Sequence, residues 1–479
     1  MSEKIKSSRI LGIDLGTTNS CITVYDETNK KYITIPSLEG NPLVPSALFM
    51  KDNVVRVGDK AREEIKHHPE NVILSVKSYM DTPRHKFTIE NAFKSEEGSS
   101  EATLTPIEIS AYILRYIKKC AEEFIGETIE DVVITVPAYF KEVERKATKR
   151  AASRAGLNLM EIINEPTSAC LAYGYAVSKD DPNLNILVYD LGGGTFDVTL
   201  LNMSPDVYEV ISTDGMKLGG DDIDLKFMEY LEKRVDFGKA TPKQAKFIVE
   251  EAKKSLSSNT EVEVDFTEYG GGKFKVTTNQ FDRVISPIVN QTIAKVLGII
   301  EGHKIDEVVL VGGSTRTPLI KRRLAEVLDL DKNYFDKYKI DPDLAVSVGA
   351  CIRGRIISGL SDIILIDKTP FNIGVEVDDG TMDAIIKRGS VIPTLAHSTY
   401  TNTHKDVEDV LFKVYQGNEL IAANNQYLGE LKFKLDTTLQ SSVRFKVTFR
   451  LDSSGVLSVE VLNLLSMEKQ HVEVKGVVD

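Results

Sequence analysis

Short apolar runs that end in a carboxylate and glycine recur in the first part of the chain. Residues 186–189 are apolar, residues 190–197 read DLGGGTFD, and apolar residues alternate again from Val198. The pattern predicts a strand, a glycine turn and a second strand. Bare turn backbone can approach a ligand closely, and its amides can bind an anion. Because two aspartates would repel a phosphate unless a cation lies between them, the stretch indicates a site for Mg²⁺ and a nucleoside phosphate.

Two other phosphate-binding motifs do not fit this chain. The pairs Gly238-Lys239 and Gly272-Lys273 lack the spacing of a P-loop. The residues after Gly194 alternate like a strand, whereas a dinucleotide fingerprint continues into a helix. For this stretch alone, a glycine-rich hairpin without a ligand remains the alternative.

The strongest support for a ligand site is a repeat with a spacing of 176 residues. The run IDLG at 13–16 matches YDLG at 189–192, so Asp190 follows Asp14 by 190 − 14 = 176 positions. The segments around Val132 and Val308, and those at 164–169 and 340–345, follow the same spacing. The repeat predicts two similar α/β halves that face each other across a cleft and can close around a ligand.

Beyond residue 360 the apolar period changes to two. Residues 443–451 and 457–461 alternate between apolar and polar side chains, which predicts a small antiparallel β-sandwich with one solvent-facing side. The chain therefore divides into a nucleotide-binding domain at 1–360, an apolar linker at 361–368 and a sandwich at 369–479.

Two further segments bring polar side chains near the predicted cleft. Pro69 to Met80 is predicted as a helix that includes Lys77. Another helix begins at Thr241-Pro242 and aligns residues 250, 253, 254 and 257 on one face. From the residues alone this face is either a polar ligand wall or a solvated face with Glu–Lys pairs, and the second is favoured. The GGSTR run at 312–316 follows a buried strand, and its amides and arginine could hold a nucleoside.

Composition narrows the functional classes. The chain has 479 residues, 42% of them hydrophobic, which is enough for several cores. A net charge of −12 argues against nucleic acid or an anionic membrane as the main partner. Four widely spaced cysteines, at 21, 120, 170 and 351, indicate reduced thiols of a cytoplasmic protein. No apolar run approaches ~18 residues, so neither a signal peptide nor a membrane span is expected. We expect a monomer.

Five motifs resemble those of the Hsp70 chaperone family. They are GIDLGTTNS at 12–20, VPAYF at 136–140, INEPTSA at 163–169, DLGGGTFDV at 190–198 and VLVGGSTR at 309–316. They stand in the order of that family, and the resemblance covers essentially the whole chain. The resemblance implies a two-lobed, actin-like ATPase with duplicated ribonuclease-H-like halves, followed by a peptide-binding β-sandwich. The implied function is ATP-dependent binding and release of extended apolar peptides in protein folding and the stress response.

The resemblance also implies ligands and residue roles. The ligands are ATP or ADP, Mg²⁺ and K⁺. The implied catalytic residues are Asp14, Lys77, Glu165, Thr195 and Asp197, and the metal-site carboxylates are Asp14, Asp190 and Asp197. The implied nucleotide-binding residues are Gly16, Thr17, Thr18, Asn19, Lys77, Gly192, Gly193, Gly194, Thr195, Glu250, Lys253, Lys254, Ser257, Gly312, Gly313, Ser314, Arg316 and Asp343. Peptide is assigned to Val375, Val377, Tyr400, Val410 and Phe412, which from the residues alone could also be ordinary core positions. The relay between domains is assigned to Pro137, Arg145, Asp362, Ile363, Ile364, Leu365 and Asp367.

The chain departs from the family pattern at several points. Asp378 replaces an apolar residue that arches over the peptide, and Lys254 replaces an arginine that stacks on adenine. Glu161 replaces a basic residue that helps to dock a J-domain cochaperone, which weakens the case for that partner; a nucleotide-exchange factor is also expected. No helical lid follows Asp479, as in a truncated chain or a lidless relative. We therefore expect weak, rapidly exchanging peptide binding.

Three other functions remain open at this stage. The first is an ATP-binding regulator or cochaperone-like relative with little hydrolysis, against which the carboxylates and Lys77 argue. The second is a sugar kinase of the same fold, which would leave the sandwich unexplained. The third is a filament-forming protein of the actin type.

Overall fold

The structure is a computed structural model that describes residues 10–95, 98–176, 183–337, 341–402, 409–435 and 443–472. Residues 10–176 form a first α/β lobe. Its elements are β1 (Leu11–Leu15), β2 (Asn19–Asp26), β3 (Lys31–Ile35), β4 (Val44–Pro45), β5 (Leu48–Lys51), β6 (Val54–Val57), α1 (Asp59–Glu63), β7 (Val72–Ile73), β8 (Phe87–Ser95), β9 (Gly98–Leu104), α2 (Pro106–Ile125), β10 (Asp131–Val136), α3 (Glu142–Arg154), β11 (Asn158–Asn164) and α4 (Glu165–Ala176).

Residues 183–357 contain a second α/β lobe, and the remaining residues are mainly strands. The second lobe contains β12 (Leu184–Leu191), β13 (Phe196–Met203), β14 (Val207–Met216), α5 (Gly220–Glu232), α6 (Pro242–Ser255), β15 (Glu261–Asp265), β16 (Lys273–Thr277), α7 (Thr278–Ile300), β17 (Glu307–Val311), α8 (Pro318–Val327) and α9 (Ala345–Ile357). The later strands are β18 (Ile364–Lys368), β19 (Asn372–Glu376), β20 (Met382–Ile386), β21 (Val391–Ile392), β22 (Thr394–Thr401), β23 (Asp409–Gly417), β24 (Gln426–Lys434), β25 (Arg444–Leu451), β26 (Leu457–Asn463) and β27 (Lys469–Val472).

Each lobe is built on a mixed sheet with the same central pairing. The first sheet has the order β11-β10-β1-β2-β3, and the second begins β17-β12-β13-β14. In the first, Ile13 lies beside Ile134 in a parallel pair, and in the second Tyr189 lies beside Leu310. Both partners in the second sheet are 176 positions beyond those in the first. The spacing seen in the sequence is therefore also the spacing of the strand register.

Local sequence signals explain where several helices begin. Thr105 caps α2 by accepting a hydrogen bond from the Glu108 amide, while the Glu108 carboxylate accepts one from the Thr105 amide. Pro106 occupies the first turn, where its missing N–H costs nothing. Thr241 and Gln244 form the same capping box at α6. The helix predicted from Thr241-Pro242 is therefore confirmed.

The predicted helix from Pro69 to Met80 is wrong. The segment contains two short 3-10 helices, Pro69–Asn71 and Val76–Tyr79, with strand β7 between them. Ser75 has φ 53°, a left-handed conformation that an α-helix does not allow. Val72, Ile73 and Val76 are nevertheless buried in the core, so the segment buries apolar side chains without forming an α-helix.

Among the described helices, α7 alone is long and apolar enough, by length and composition, to cross a membrane. One face of α7 packs into the core of the second lobe through Phe281, Ile285, Val289, Ile293 and Val296, all buried. A helix with one buried apolar face is typical of a folded core.

Helices α4 and α9 cross between the two lobes at small residues. A Cβ atom on Gly349 would lie 1.7 Å from the Ser168 carbonyl oxygen, so only glycine allows this approach. The Ser168 hydroxyl also donates a hydrogen bond of 2.7 Å to the Val346 carbonyl. The two lobes therefore meet through a close backbone contact.

The C-terminal strands form two four-stranded antiparallel sheets, with the orders β20-β19-β23-β24 and β22-β25-β26-β27. Phe412, Phe433, Phe445 and Phe449 are buried between them. Strand β18 lies elsewhere. It pairs in parallel with β14 of the second lobe and antiparallel with β21, so it extends the sheet of that lobe.

Candidate functional site

Two glycine-containing turns, one from each lobe, pack against each other. The first joins β1 to β2 and contains Thr17 and Thr18, and the second joins β12 to β13. A Cβ atom on Gly193 would lie 2.2 Å from Thr18 Oγ1, and one on Gly194 would lie 2.6 Å from Ser78 Oγ. A larger residue at either position would therefore force one of these hydroxyl groups to move. The second turn is also tight, because the Gly192 amide donates to the Thr195 carbonyl at 3.0 Å.

A cleft of about 380 Å³ opens between the lobes beside these turns, a size typical of small-molecule sites. The structure brings nearly all the predicted nucleotide-site residues to its walls. These are Asp14, Gly16, Thr17, Thr18, Asn19, Lys77, Glu165, Asp190, Gly192, Gly193, Thr195, Glu250, Lys253, Lys254, Ser257, Gly312, Gly313, Ser314, Arg316 and Asp343. Gly194 and Asp197 do not line it.

Three carboxyl groups lie at the end of the cleft where the turns meet, of which Asp14 is half-buried and the other two are buried. Asp190 and Asp197 are paired across β12 and β13, and both are buried. Asp14 accepts a hydrogen bond of 3.0 Å from Thr135 Oγ1. Burial and the negative charge of Glu165 raise the pKa of Asp14 to about 7 and that of Asp197 to about 8. The same two causes raise the pKa of Asp190 well above its usual range. The protein alone therefore stabilises these negative charges poorly.

Lys77 is a cation of the first lobe whose charge acts on all three of these carboxyl groups. Its side chain is only 6% exposed, and its ammonium group lies 2.5 Å from Glu165 Oε1. Burial acts to lower the pKa of Lys77, but Glu165 and Asp14 outweigh it and the pKa is raised. The ammonium group also lies 5.6 Å from the centroid of the Phe140 ring. Lys77 therefore stays charged, and Glu165 holds it in place from the start of α4.

The carboxylates fit a hydrated metal better than a directly bound one. Among the residues that the structure describes, no three His, Cys, Asp or Glu side chains converge to bind one metal ion. Asp197 Oδ2 is buried and, within the described ranges, has no hydrogen-bond partner, although Oδ1 accepts one from the Tyr139 amide. Mg²⁺ usually keeps several of its waters and is held by one or two carboxylates and by substrate phosphates. The residues present fit that arrangement.

The other end of the cleft is polar and extensively ion-paired. Glu250 contacts Arg62 at 3.0 Å and Lys254 at 2.8 Å. Burial acts to raise the pKa of Glu250, but these two cations outweigh it and lower the pKa to about 2. Arg316 binds Asp343 through two nitrogens, at 3.0 Å and 2.6 Å. The face of α6 that looked solvated from its residues alone therefore lines the cleft.

Several other residues of the cleft were not predicted as site residues, and they include Cys21, Leu43, Asp221 and Asp224. Lys253 lies 2.7 Å from Asp224 and so joins α6 to α5. Burial raises the pKa of Asp224 to about 6 despite this lysine. The pair Gly219-Gly220 gave a usable signal, because the Gly220 and Asp221 amides donate to Gly192 and Gly193. Adjacent glycines before a helix indicate such a close approach.

The predicted relay residues lie between the first lobe, β18 and the sandwich. Arg145 donates to the carbonyls of Phe140 and Ser454, both at 3.1 Å, and to Asn164 Oδ1 at 2.6 Å. Asn164 in turn donates to Asp367 at 2.9 Å. Pro137 lies in the same turn, where its carbonyl accepts from Phe140. Asp362 and Ile363 precede β18, and Ile364, Leu365 and Asp367 belong to it.

The same interface contains residues that sequence analysis did not single out. The Glu142 amide donates to Gln416 Oε1, and the Glu142 carboxylate accepts from the Leu457 amide at 2.8 Å. Lys141 and Tyr139 both contact the Phe371 ring. Only the tertiary structure brings these residues together, because the members of each contact are about 230 to 315 positions apart.

The five predicted peptide-binding residues lie in the C-terminal sheets. Val375 and Phe412 are buried in the core, and Val377, Tyr400 and Val410 are half-buried. The Tyr400 hydroxyl donates to Asp383 at 2.6 Å. Asp378 is exposed in the loop after β19. In the first lobe, Glu161 forms a two-pronged ion pair with Arg353, at 2.7 Å and 3.1 Å.

The fold and the cleft define a class of two-lobed proteins that bind a nucleotide between paired glycine turns. The family described as Hsp70 protein matches residues 10–478, so this chain belongs to the Hsp70 family. Membership implies an actin-like, two-lobed ATPase fold, binding of ATP or ADP with Mg²⁺, and an ATP-dependent chaperone function that involves unfolded peptides.

Proposed function

We propose that this chain hydrolyses ATP and couples hydrolysis to the binding and release of extended apolar peptide segments. The observation that supports this best is the composition of one cleft. Its phosphate end combines the two packed glycine turns, Lys77 and the buried carboxyl groups beside them. An uncompensated cluster of buried acids is costly, whereas a cation and a triphosphate would satisfy both the acids and the turn amides.

The proposed reaction is in-line attack of water on the γ-phosphate. Asp14, Asp190 and Asp197 would hold hydrated Mg²⁺, with K⁺ nearby, and the metal when bound neutralises charge on the phosphoryl oxygens. Lys77 would stabilise the negative charge that spreads over the transferred group in the transition state. Thr195 would position the γ-phosphate from its turn, and Glu165 would fix the Lys77 ammonium group, which it contacts at 2.5 Å.

Coupling would pass through contacts that already join the lobes to the sandwich. Asp197 accepts the Tyr139 amide at 2.9 Å, and the next residue, Phe140, accepts Arg145. Arg145 also contacts Ser454 in the turn before β26. A change at Asp197 would thus shift the turn that orients Arg145, and with it the docking of the sandwich and of β18.

The sandwich at 369–479, joined by the linker at 361–368, would hold the peptide. An extended segment would bond to strand-edge backbone and place one apolar side chain against Val375, Val377, Tyr400, Val410 and Phe412. Asp378 cannot close an apolar arch over the peptide without a desolvation cost. We therefore propose weak, rapidly exchanging peptide binding.

The two halves would have arisen by duplication, the protein would act as a monomer, and a nucleotide-exchange factor would be a partner. A J-domain partner would need another contact, because Arg353 already pairs with Glu161. All four cysteines are buried, which would suit a cytoplasmic location.

The test is ATP-dependent release of a labelled apolar peptide from the full chain. We expect ATP with Mg²⁺ to raise the dissociation rate and to be cleaved to ADP and phosphate. A peptide of equal length with charged side chains is the matched control and should not bind. Cleavage without any effect of ATP on peptide dissociation would contradict the coupling, and no cleavage would contradict the ATPase.

A further inference from the structure

A second cavity of about 270 Å³ lies between the lobes, next to the nucleotide cleft. Four residues line both spaces, namely Thr17, Thr18, Asp221 and Glu250. The two cavities are therefore separated by one layer of side chains. Ser75 also lines the second cavity and precedes Lys77 by two residues. The shared wall thus runs from the phosphate turn at Thr17 and Thr18 to Glu250 at the other end of the cleft.

The second cavity contains more cationic than anionic side chains. Arg62, Lys243 and Lys246 line it, against the carboxylates of Asp221 and Glu250. Lys246 lies 2.6 Å from Asp221, and Arg62 lies 3.0 Å from Glu250. Each shared carboxylate is thus neutralised by an ion pair with a cation on the side of the second cavity. Without these cations, the two carboxylates would repel an anion that passes between the cavities.

Lys243 is held by backbone rather than by a carboxylate. Its ammonium group donates to the carbonyls of Pro69 and Val72, at 2.9 Å and 2.6 Å. Burial lowers the pKa of Lys243, and the nearby charge of Glu70 offsets this only in part. A passing anion would therefore find a partly desolvated cation at this wall.

We propose that this second cavity is the exit route for inorganic phosphate, so that phosphate leaves while ADP is still bound. The proposal rests on the ATPase function proposed above. Hydrolysis of ATP by water yields ADP, phosphate and a proton, and the free phosphate is formed beside Thr17 and Thr18. The adenosine end of the cleft stays occupied by ADP, whereas the second cavity offers a separate space lined with cations.

Lys246 is the residue that tests the route. It lines the second cavity but not the nucleotide cleft, and it neutralises the shared carboxylate of Asp221. Lys246→Glu should slow phosphate release on the order of tenfold, because it replaces the cation with a charge that repels phosphate. Lys246→Gln should slow it less. ATP cleavage and ADP release should not change in either variant.

The experiment compares three rates in one turnover of the full chain. Acid-quenched samples give the rate of cleavage, a fluorescent phosphate sensor gives the rate of phosphate release, and a labelled ADP gives the rate of nucleotide release. Lys239→Gln is the matched control, because Lys239 is exposed and lines neither cavity. Circular dichroism checks that each variant is folded, and Lys246→Gln serves if Lys246→Glu does not fold.

The outcomes separate this route from the ATPase itself. Slower phosphate release with unchanged cleavage and ADP release supports the route. Unchanged phosphate release in both Lys246 variants overturns it, as does phosphate that leaves the unmodified chain only together with ADP. An absence of cleavage in the unmodified chain overturns the ATPase function and the route with it.

Discussion

Lys77 is the residue for which a single substitution separates binding from chemistry. Its ammonium group is buried beside carboxyl groups at the phosphate end of the cleft and is held by Glu165. Lys77→Ala should lower the rate of single-turnover ATP cleavage by about 10² to 10³-fold, since it removes a preorganised positive charge from the transition state. ATP binding should be nearly unchanged, because the turn amides and the adenosine end remain.

Acid-quench kinetics and calorimetry measure the two effects of Lys77→Ala separately. Lys86→Ala is a suitable control, because Lys86 is exposed and does not line the cleft. Cleavage at the normal rate in Lys77→Ala would remove our assignment of this lysine.

At the scale of residues, the sequence indicated which side chains line the cleft better than it indicated which side chains form ion pairs with each other. The carboxylates of the glycine turns could be predicted because their spacing repeats along the chain. The pairing of Lys253 with Asp224, and of Arg62 with Glu250, could not be predicted, because each pair joins segments that only the folded lobes bring together. A short sequence window contains no signal for such a contact.

At the scale of elements, the crossing of α4 and α9 sets the distance between the lobes. Gly349→Ala should destabilise the protein by about 3 kcal/mol or more, because the added Cβ meets backbone rather than a side chain that can rotate away. Denaturant unfolding of the ATPase lobes measures the loss.

Gly298→Ala is the matched control for this substitution. It lies in α7, where a Cβ atom would have nothing within 4 Å. It should stabilise the protein by about 0.5 to 1 kcal/mol, the gain in helix propensity. Equal effects of the two substitutions would show that the crossing is looser than we describe.

Elements with strong local signals could be predicted, and those fixed by tertiary contacts could not. The capping box at Thr105 marks the start of α2 in the sequence alone. The 69–80 segment has apolar residues at helical spacing but folds otherwise, because its backbone turns at Ser75 to bring Lys77 to the cleft. Lys77, the residue proposed for catalysis, thus lies in a segment with an irregular backbone.

At the scale of the whole molecule, Glu142 connects the first lobe to the sandwich. It is 1% exposed, and burial raises its pKa to about 7 from an ordinary value of 4.5, although Lys146 acts in the opposite direction. A carboxyl group with a higher pKa in the docked state binds its proton more tightly there. Docking should therefore weaken as the pH rises from about 4.5 through about 7, by up to about 3 kcal/mol.

Energy transfer between dyes on a lobe and on the sandwich can follow docking against pH. Glu142→Gln keeps an acceptor for the Leu457 amide but cannot titrate, so its docking should depend less on pH over this range. If the variant and the unmodified protein show the same pH dependence, Glu142 is not the titrating group.

The change of apolar period near residue 360 indicates where the part of the chain rich in strands begins, but it does not indicate the position of β18. Strand β18 looks like a linker in the sequence, yet it pairs with β14 of the second lobe through residues 364–366. Whenever β18 separates from β14, β14 becomes a sheet edge whose amides and carbonyls are unsatisfied from Val207 to Glu209. Such bare edges recruit other chains and promote aggregation. The form of the protein in which β18 has separated from β14 should thus be the more aggregation-prone form. A nucleotide that keeps β18 paired with β14 would also protect the solubility of the protein.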